Sequence, residues 1–501
     1  MSFYSGDIVE YSSYSWRAAV NAIPPAFKRD YFLLGFLPDA LYLPKSILQS
    51  HAYVVGPSNS GKTSRVLVPL LAQRIHAGDT VWSVDCKPDE MLLGHIDAEC
   101  RVAGRQVRVF SMQPGLESDF TLDLFGALEL NPRSPRQIAQ VLIGSLGLGE
   151  AREPFFISQN AGALTKAIEA ARPKGLSFRT IAQALAKVVQ HEKRFEHAIH
   201  ALDVLEELAD VPALNDGPNR LSVAQLLESG DVCHFCLPVT TELKMSCATA
   251  ASLLLKSVTL ASKDLALVGR NVPRVYLAID EFQEVAAAGD LADLLGQVRG
   301  IGGGVSLILS HQVREQVQDL GLQALLQTAG VLVLLAPRSQ ADELQKWSGE
   351  KMILLTSKSY SRTWGSSSSG RSETVSYQQT FRSALELNTI QQVNEMAGFG
   401  IAVVSGGYPT PIFFPHHVEF DAALRRGRGA FRARRPTSSM QGKVTKQPIR
   451  KPLSRPSSKV PTNSVSPTPV TGVAPEPPVR SRVEDLFADL VNRTLVPRRS
   501  S

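Results

Sequence analysis

One short stretch constrains the fold of this chain more than any other: an apolar run that leads directly into a phosphate-binding loop. Residues 51–71 are HAYVVGPSNSGKTSRVLVPLL, in which the apolar run ends at G-x-x-x-x-G-K-T and a helical pattern follows. A loop of this sequence turns its backbone N–H groups around a phosphate, and the N-terminus of the following helix favours the anion. The stretch therefore predicts a nucleoside triphosphate site at the start of an α/β domain.

The same loop supplies the residues that are predicted to bind ATP, and these are Gly56, Pro57, Ser58, Asn59, Ser60, Gly61, Lys62 and Thr63. Within this set, Lys62 would bridge the β- and γ-phosphates, and the hydroxyl of Thr63 would hold Mg²⁺. A chance Gly/Ser turn is the alternative, and the strand and helix patterns on the two sides disfavour it.

A second chemical motif follows far downstream. Residues 275–279 are apolar and end at Asp280 and Glu281, so that two carboxylates stand at the end of a predicted strand. In this arrangement Asp280 would bind Mg²⁺ through water and Glu281 would polarise the water that attacks the γ-phosphate. The alternative is a buried strand that ends in a solvated acidic pair, but the phosphate loop upstream favours the functional interpretation.

Two further side chains are candidates for contact with the nucleotide. Gln312 follows a predicted strand at residues 305–309 and would reach the γ-phosphate from the tip of that strand. Arg299 follows a helical stretch and would act as an arginine finger on the nucleotide of a neighbouring subunit. An ordinary surface arginine is the alternative for Arg299. His311 is predicted to be a hydrogen-bonded structural histidine.

The surrounding pattern predicts a parallel α/β sheet with an all-helical insertion. Short apolar runs alternate with helical patterns, which is typical of a parallel sheet covered by helices on both faces. The predicted strands are residues 80–85, 107–111, 232–237, 274–279, 305–309, 331–335 and 400–404. The segment 131–229 is helical throughout, with helices predicted at residues 157–170, 178–189 and 191–208.

Two local patterns need a choice between interpretations. Cys233 and Cys236 have the spacing of a metal-binding pair, but they stand in an apolar run without a second such pair. Because zinc usually requires four ligands, the buried strand is favoured. Residues 357–372 contain eight serines in 16 positions and are predicted to form a flexible loop.

The charge of +6 on the whole chain conceals two parts of opposite sign. Residues 422–501 hold 17 Lys and Arg against four Asp and Glu, whereas the remainder holds 36 against 43. Residues 421–482 are rich in Pro, Ser, Lys and Arg, a composition that cannot form a core. We predict a disordered basic tail that binds DNA through its phosphates; the alternatives are a solubilising tail or affinity for an acidic protein or membrane surface.

An amphipathic helix is predicted at residues 483–496, near the end of the tail. Its apolar face comprises Val483, Leu486, Phe487, Leu490, Val491 and Leu495. Isolated helices shorter than about 12–15 residues are marginal in water. We therefore expect this helix to fold on a partner protein.

The sequence carries no pattern of a membrane span or a secretory signal. The longest early apolar run, residues 31–37, stops at Pro38, whereas a spanning helix needs about 20 residues. The first 15 residues lack a basic stretch, and the five scattered cysteines argue against a disulfide framework. We expect a cytoplasmic protein, alone or docked peripherally at the inner membrane through a partner.

With these motifs identified, the chain resembles the type IV coupling proteins of the TraG/TraD family, the hexameric ATPases of conjugative DNA transfer and type IV secretion. The resemblance covers about residues 48–415. It is carried by HAYVVGPSNSGKT, by Asp85-x-Lys87, by GRQVRVFSMQPG at 104–115, by EPFF at 153–156, by DEF at 280–282, by Arg299, by SHQ at 310–312 and by FGIAVVSGGYPTPI at 399–412.

The resemblance implies a RecA-like motor domain, an all-α domain at the cytoplasmic mouth of a ring, and delivery of relaxase-bound single-stranded DNA or protein cargo to a secretion channel. By position it assigns nucleotide-site roles to Lys62, Thr63, Asp280, Glu281, Arg299 and Gln312. Two departures stand out. The first is that most members carry N-terminal transmembrane helices, for which this sequence shows no pattern. The second is that the family's motif D-P-K-G-E is replaced by D-C-K-P-D-E at residues 85–90, which leaves the role of Lys87 open.

The predicted organisation has five parts: a segment without an assigned role (1–45), a RecA-like motor domain (46–130 and 230–420), an inserted all-α domain (131–229), the basic tail (421–482) and the amphipathic helix (483–496). The leading hypothesis is an ATP-hydrolysing, DNA-translocating coupling motor that works as a hexamer. One alternative is a HerA/FtsK-like translocase of double-stranded DNA in partition or repair; the helical insertion and residues 399–412 favour the coupling motor. The other is a docking adaptor that binds nucleotide without hydrolysis, and Glu281 and Arg299 argue against it.

Overall fold

The computed structural model describes the chain between residues 16 and 416. Gaps fall at residues 25–26, 38, 88–89, 130, 147–153, 217–218, 240–243, 271, 287–303, 313–327, 338–340, 365–368, 384 and 406. The predicted arginine finger Arg299, the predicted tail at 421–482 and the predicted helix at 483–496 therefore lie outside the described residues.

The described strands comprise β1 Tyr31–Leu37, β2 Asp39–Pro44, β3 Ala52–Val55, β4 Thr80–Asp85, β5 Val107–Ser111, β6 Leu122–Asp123, β7 Leu221–Ser222, β8 Val232–Cys236, β9 Val275–Asp280, β10 Val305–His311, β11 Val331–Leu335, β12 Glu350–Trp364, β13 Ser369–Ser383, β14 Phe399–Val404 and β15 Thr410–Phe413. Eleven of them form one sheet in the order β2-β1-β15-β14-β11-β3-β10-β9-β4-β8-β5.

The described helices comprise α1 Trp16–Ala22, α2 Lys45–Leu48, α3 Val68–His76, α4 Glu90–Val102, α5 Gly126–Glu129, α6 Pro135–Ser145, α7 Pro154–Ala171, α8 Phe178–His191, α9 Ile199–Ala209, α10 Pro212–Asn215, α11 Val223–Ser229, α12 Lys244–Leu267, α13 Gln283–Ala286, α14 Ala341–Trp347 and α15 Leu387–Glu395. A π-helical segment, Lys62–Leu67, precedes α3, and 3₁₀ segments lie at Arg172–Lys174 and Lys193–Ala198.

The sheet is parallel from β11 to the edge strand β5, as the sequence predicts. Strand β3 shows why its sequence is apolar throughout: Tyr53 and Val55 belong to one hydrophobic cluster, whereas Ala52 and Val54 belong to the cluster on the other face. Burial on both faces removes the alternation of apolar and polar residues. Because these strands are parallel, the carboxyl ends of β3, β10, β9 and β4 meet at one edge of the sheet.

The N-terminal segment continues the same sheet. Strand β1 pairs antiparallel with β15, Phe36 opposite Phe413, and with β2 at the edge. Gln73 on α3 holds β1 through hydrogen bonds to the backbone of Leu33, at 2.6 Å from its N–H and 3.0 Å from its C=O. Residues 31–44, which the sequence left without a role, are thus part of the sheet.

The helical insertion leaves and rejoins the α/β fold at one point. There β6 and β7 form a short parallel pair, and Arg220 Nε lies 3.0 Å from a carboxylate oxygen of Asp123. Helices α6 and α8 each begin with a capping box, in which Ser134 and Ser177 satisfy backbone N–H groups of the first turn.

One predicted helix of the insertion is wrong in its extent. Residues 191–208 divide into the 3₁₀ segment Lys193–Ala198 and α9, and Phe195 has non-helical angles of φ −104° and ψ 15°. The ring of Phe195 is buried and faces Gly162 of α7, where an added Cβ would lie 3.0 Å from it. Tertiary packing of this ring accounts for the kink that the apolar periodicity concealed.

The predicted flexible loop at residues 357–372 is wrong for residues 357–364 and 369–372, which form strands, whereas residues 365–368 lie outside the described residues. Strands β12 and β13 form an antiparallel hairpin in continuous register from Glu350↔Ser383 to Trp364↔Ser369. Ser357, Ser359 and Ser361 alternate with larger side chains, which is the two-residue period of a strand. The serine content alone had suggested a loop, and the period is the better signal.

The cysteine pair lies where the strand interpretation predicts. Cys233 and Cys236 are fully buried in β8, and burial raises the pKa of the Cys233 thiol. Among the described residues, α12 is the one helix long and apolar enough to cross a membrane, but 78% of its most apolar window is buried inside the fold. It packs against α6, α9 and α11 and is a core helix.

A buried ion pair between the start of the insertion and α12 provides a stability prediction. Arg133 Nη2 lies 2.6 Å from Asp264 Oδ2, and their side chains are 12% and 3% exposed. Arg133→Ala would leave a buried carboxylate without its cation, so we expect a loss of about 3–5 kcal/mol in the free energy of unfolding, measured by urea denaturation. The control is Arg270→Ala, whose partner Glu228 is on the surface, with an expected loss below about 1 kcal/mol. Equal losses in the two variants would contradict the prediction.

Candidate nucleotide site

The phosphate loop is held in shape by its neighbours at the edge of the sheet. The N–H of Gly56 donates to the carbonyl oxygen of His311 at 3.2 Å, which ties the start of the loop to β10. Asn59 and Gly61 have φ angles of +63° and +93° and turn the chain back toward α3. Gly61 is needed for space as well as for φ, since a Cβ there would lie 2.6 Å from Cδ of Arg65.

Lys62 lies buried over its own loop, with 7% of its surface exposed. Its Nζ donates to the carbonyl oxygens of Gly56 at 2.9 Å and Pro57 at 3.3 Å. Burial lowers the pKa of this amine, although the nearby carboxylates of Glu281 and Asp280 oppose the shift. Neutral carbonyls are weaker acceptors for an ammonium group than phosphate oxygens are, so the loop and its lysine fit a phosphate group.

The carboxylate of Asp280, at the end of β9, connects three chain segments. It accepts hydrogen bonds from the hydroxyl of Thr63 at 2.7 Å, from the hydroxyl of Ser310 and from the N–H of Glu281 at 3.1 Å. Carboxylate and hydroxyl oxygens are ligands that suit Mg²⁺. The donor set therefore fits the predicted metal, with Thr63 and Asp280 as the residues that would hold it.

Three side chains hold the carboxylate of Glu281, two of them from other segments of the chain. Gln312 Nε2 donates to its Oε1 at 2.8 Å, Gln283 Nε2 donates to its Oε2 at 2.7 Å, and Lys87 Nζ lies 3.6 Å from Oε1. The backbone of Glu281 has φ +54°, a left-handed conformation that costs a residue with a Cβ about 1–3 kcal/mol. The surrounding hydrogen bonds keep the residue in this strained position.

The charge state of Glu281 follows from these contacts. Burial by itself would raise its pKa, but the hydrogen bonds from Gln283 and Gln312 and the charges of Lys62 and Lys87 lower the pKa below its ordinary value. The carboxyl is therefore ionised at neutral pH. An ionised carboxylate beside the phosphate loop is able to accept a proton from water.

The structure brings together most of the residues that the sequence predicts for the site. The phosphate loop, Asp280, Glu281 and Gln312 lie within one connected set of hydrogen bonds, whereas Arg299 lies outside the described residues. Lys87, whose role the sequence left open, faces Glu281. His311 is hydrogen-bonded to the hydroxyl of Tyr53 and fully buried, which agrees with a structural histidine.

Two site residues were missed by the sequence analysis. Ser310 stands in the S-H-Q stretch that supplied Gln312, and its strand-end position was a usable signal. Gln283 follows the two carboxylates by two residues, and no pattern distinguishes it from a surface glutamine. The backbone turns at Glu281, and only this turn brings the side-chain amide of Gln283 back to the Glu281 carboxylate.

Comparisons with known proteins identify one family and one fold. A family model described as the type IV secretion-system coupling protein DNA-binding domain matches residues 162–411, about half of the chain. No curated protein matches the chain by sequence. The fold is similar to that of solved structures that are 14–16% identical in sequence.

Several of these structures are of the coupling protein TrwB. The unbound bacterial conjugative coupling protein TrwBΔN70 has a TM-score of 0.53 at 14% identity, over 80% of this chain and 92% of that chain. TrwB in complex with the ATP analogue ADPNP has a TM-score of 0.53 at 14% identity, over 82% and 92%. TrwB in complex with ADP and Mg²⁺ has a TM-score of 0.55 at 16% identity, over 83% and 92%. The predicted RecA-like α/β fold is confirmed by this likeness.

Hydrolysis provides the first test of the site. Lys62→Ala removes the cation that would contact the phosphates and is expected to abolish ATP turnover. Glu281→Gln keeps the shape but loses the negative charge, so we expect nucleotide binding to persist while turnover falls on the order of 10²-fold or more. Binding of a fluorescent ATP analogue and release of phosphate measure the two effects. Near-normal turnover in Glu281→Gln would remove this residue from the catalytic machinery.

Gln283 gives a prediction about pH. Gln283→Leu removes a donor that stabilises the charged form of Glu281, so the pKa of that carboxyl should rise. Because a carboxylate that accepts a proton from water must be ionised, the predicted role of Glu281 implies that the acidic limb of the kcat/KM profile moves to higher pH. Gln392→Leu on the surface of α15 is the control and should leave the profile in place. A shift to lower pH, or none, would show that the hydrogen bond does not set this pKa.

Proposed function

Because this chain belongs to the type IV secretion-system coupling proteins, we propose that it is an ATP-hydrolysing motor that recruits single-stranded DNA, or a relaxase–DNA or protein cargo, and translocates it to a type IV secretion or conjugation channel. The proposal goes further than family membership in two respects. It assigns hydrolysis to this chain, and it assigns DNA as the substrate that is moved.

One observation carries the assignment of hydrolysis. The carboxylate of Glu281 is ionised and is fixed beside the phosphate loop by Gln283 and Gln312, in a backbone conformation that costs free energy. A protein that used nucleotide only to assemble a docking ring would not need a proton acceptor at this position. This arrangement supports a motor in preference to an adaptor.

Each of the described site residues would have a separate role in binding the nucleotide and Mg²⁺. Lys62 would exchange the carbonyls of Gly56 and Pro57 for phosphate oxygens. Thr63 and Asp280 would hold Mg²⁺, which supplies charge neutralisation on the phosphates when it is bound. The TrwB complexes with ADPNP and with ADP and Mg²⁺ support nucleotide and Mg²⁺ as the ligands of this chain.

Glu281 would accept the proton of the attacking water. The amide of Gln312, at the end of β10, reaches Glu281 and would orient the same water from the other side. Ser310 keeps the Asp280 carboxylate in place through its hydroxyl. These positions are consistent with hydrolysis by an oriented water and a carboxylate base.

The assembly and the partners are also part of the proposal. We assign the arginine finger to Arg299, which would complete the site of the adjacent subunit in a homo-oligomer, most simply a hexamer. The basic tail at residues 421–482 would follow DNA phosphates, and the helix at 483–496 would dock on a relaxase or channel subunit. The protein would work in the cytoplasm, at the inner membrane through such a partner.

A HerA/FtsK-like translocase of double-stranded DNA is the second candidate. The family match over residues 162–411, which contains most of the helical insertion, favours the coupling protein. The coupling motor would move single-stranded DNA and the second candidate would move double-stranded DNA, so a translocation assay distinguishes them.

The test is displacement of streptavidin from biotinylated oligonucleotides by the full chain with ATP. We expect ATP-dependent displacement from single strands and little from duplexes, with Glu281→Gln inactive in both. Displacement from duplexes alone would favour the second candidate. Binding of nucleotide without turnover in the unaltered chain would favour the adaptor.

The same assay tests Arg299 through mixed variants. Arg299→Ala and Lys62→Ala subunits should each be inactive, and their mixture should regain part of the activity. The reason is that an intact Arg299 on a Lys62→Ala subunit serves the intact loop of its neighbour. Lack of rescue, with specific activity independent of protein concentration, would identify an ordinary surface arginine.

A further inference from the structure

The hairpin of β12 and β13 is a feature that the nucleotide site does not use. Its strands are 15 residues each, and the described side chains at residues 357–361 and 372–378 are exposed on both faces. A two-stranded hairpin gains little stability alone in water. The described part of the ribbon, exposed on both faces, is therefore suited to contact something outside the fold.

One face of the hairpin presents an aromatic–cation–aromatic sequence. The register pairs Tyr377 with Thr356, Lys358 with Val375, and Tyr360 with Glu373. Directly paired residues share a face, and each step of two residues advances about 6–7 Å along the ribbon. Lys358 therefore lies midway between the two tyrosines, whose rings are 61% (Tyr360) and 67% (Tyr377) exposed.

We propose that this face binds single-stranded DNA, with bases stacked on Tyr360 and Tyr377 and a backbone phosphate at Lys358. Unpaired bases offer flat faces to aromatic rings, whereas the bases of a duplex are already stacked on one another. The order of ring, cation and ring in Tyr377, Lys358 and Tyr360 matches the order of base, phosphate and base along a single strand of DNA. The inference rests on the proposed function in taking DNA as the cargo, but it does not depend on the chemistry of the nucleotide site.

The charge of the hairpin agrees with an anionic ligand. Residues 350–383 contain five Lys and Arg against two Glu, although the chain outside the basic tail is acidic overall. The other face carries small hydroxyl side chains, as in the pairs Ser359↔Thr374 and Ser361↔Ser372. Such a face lacks the large apolar side chains that form the centre of a protein–protein interface.

Glu373 is the one acidic residue on the distal part of this face, and it gives the proposal a specific consequence. Its carboxylate lies 3.5 Å from Nζ of Lys358 and accepts a hydrogen bond from the hydroxyl of Tyr360 at 3.2 Å. Exposed ion pairs contribute little, so a phosphate is able to compete for Lys358. Glu373→Gln should remove this competitor and tighten DNA binding.

The experiment measures binding of a fluorescent oligothymidylate to the full chain by anisotropy over a range of salt concentrations. Tyr360→Ser with Tyr377→Ser should weaken binding about 30-fold or more, because the stacking of two bases is lost. The salt slope should stay unchanged, since no charge is lost. Lys358→Ala should reduce the slope by about one, and Glu373→Gln should raise the affinity.

The matched control alters the opposite face. Ser359→Ala with Thr374→Ala keeps both strands and should leave affinity and slope unchanged. Cross-linking supplies a direct readout: an oligonucleotide with 5-iodouracil should attach to Tyr360 or Tyr377 on irradiation. The tail is present in every variant, so its contribution to affinity cancels.

Several outcomes would overturn the inference. Unchanged affinity in the double tyrosine variant would exclude stacking, and an equal loss of duplex binding would indicate contact with the backbone alone. A smaller oligomer with normal DNA affinity would show that the hairpin contacts a second copy of the chain. Basal ATP turnover is measured in parallel: its absence from the unaltered chain would count against the proposed function and leave the hairpin result to stand by itself.

Discussion

The site depends on one carboxylate. Asp280 ends β9 and accepts hydrogen bonds from Thr63, which follows β3 by way of the loop, and from Ser310, which lies in β10. These residues are far apart in sequence, and they meet because β3, β10 and β9 lie side by side in parallel in the sheet. The register of the sheet therefore sets the distance between the phosphate loop and the carboxylates, and a slip of one residue in β9 or β10 would point Asp280 or Ser310 to the opposite face.

The strain at Glu281 is a consequence of the same edge. After β9 ends, a left-handed residue turns the chain so that Gln283 reaches back to the carboxylate. The turn costs free energy, and the hydrogen bonds and the lysine beside it offset that cost. The result is a carboxylate with a lowered pKa whose position is fixed before any substrate binds. Preorganisation of this kind is what a proton acceptor in catalysis needs.

The antiparallel part of the sheet is connected to the phosphate loop by direct contacts. Arg65, three residues after Lys62, donates from Nη1 to the carbonyl oxygen of Phe414 at 2.7 Å, just after β15. A Cβ on Gly56 would lie 2.9 Å from Cβ of Leu335, at the end of β11. The loop thus has contacts on both sides of β3, with His311 of β10 and with Leu335 of β11.

The sequence by itself determined the phosphate loop, the two carboxylates, Gln312 and the parallel α/β class, because each depends on local order: a strand, a turn and a helix that are contiguous in the chain. It did not determine what distant segments do to one another. The hydrogen bonds that Gln283 and Ser310 make, the partner of Lys87, the kink at Phe195 and the sheet position of residues 31–44 all depend on contacts between segments far apart in sequence or on a turn that no composition signals. The hairpin of β12 and β13 differs from these cases, because a local signal for it was present. Serines alternate with larger side chains at residues 357–361, as in a strand, but the high serine content favoured the prediction of a loop. The identity of the site residues could be read from local sequence motifs. Their charge states and relative positions were decided by the tertiary structure, because pKa values and backbone strain depend on which groups lie near each other in space.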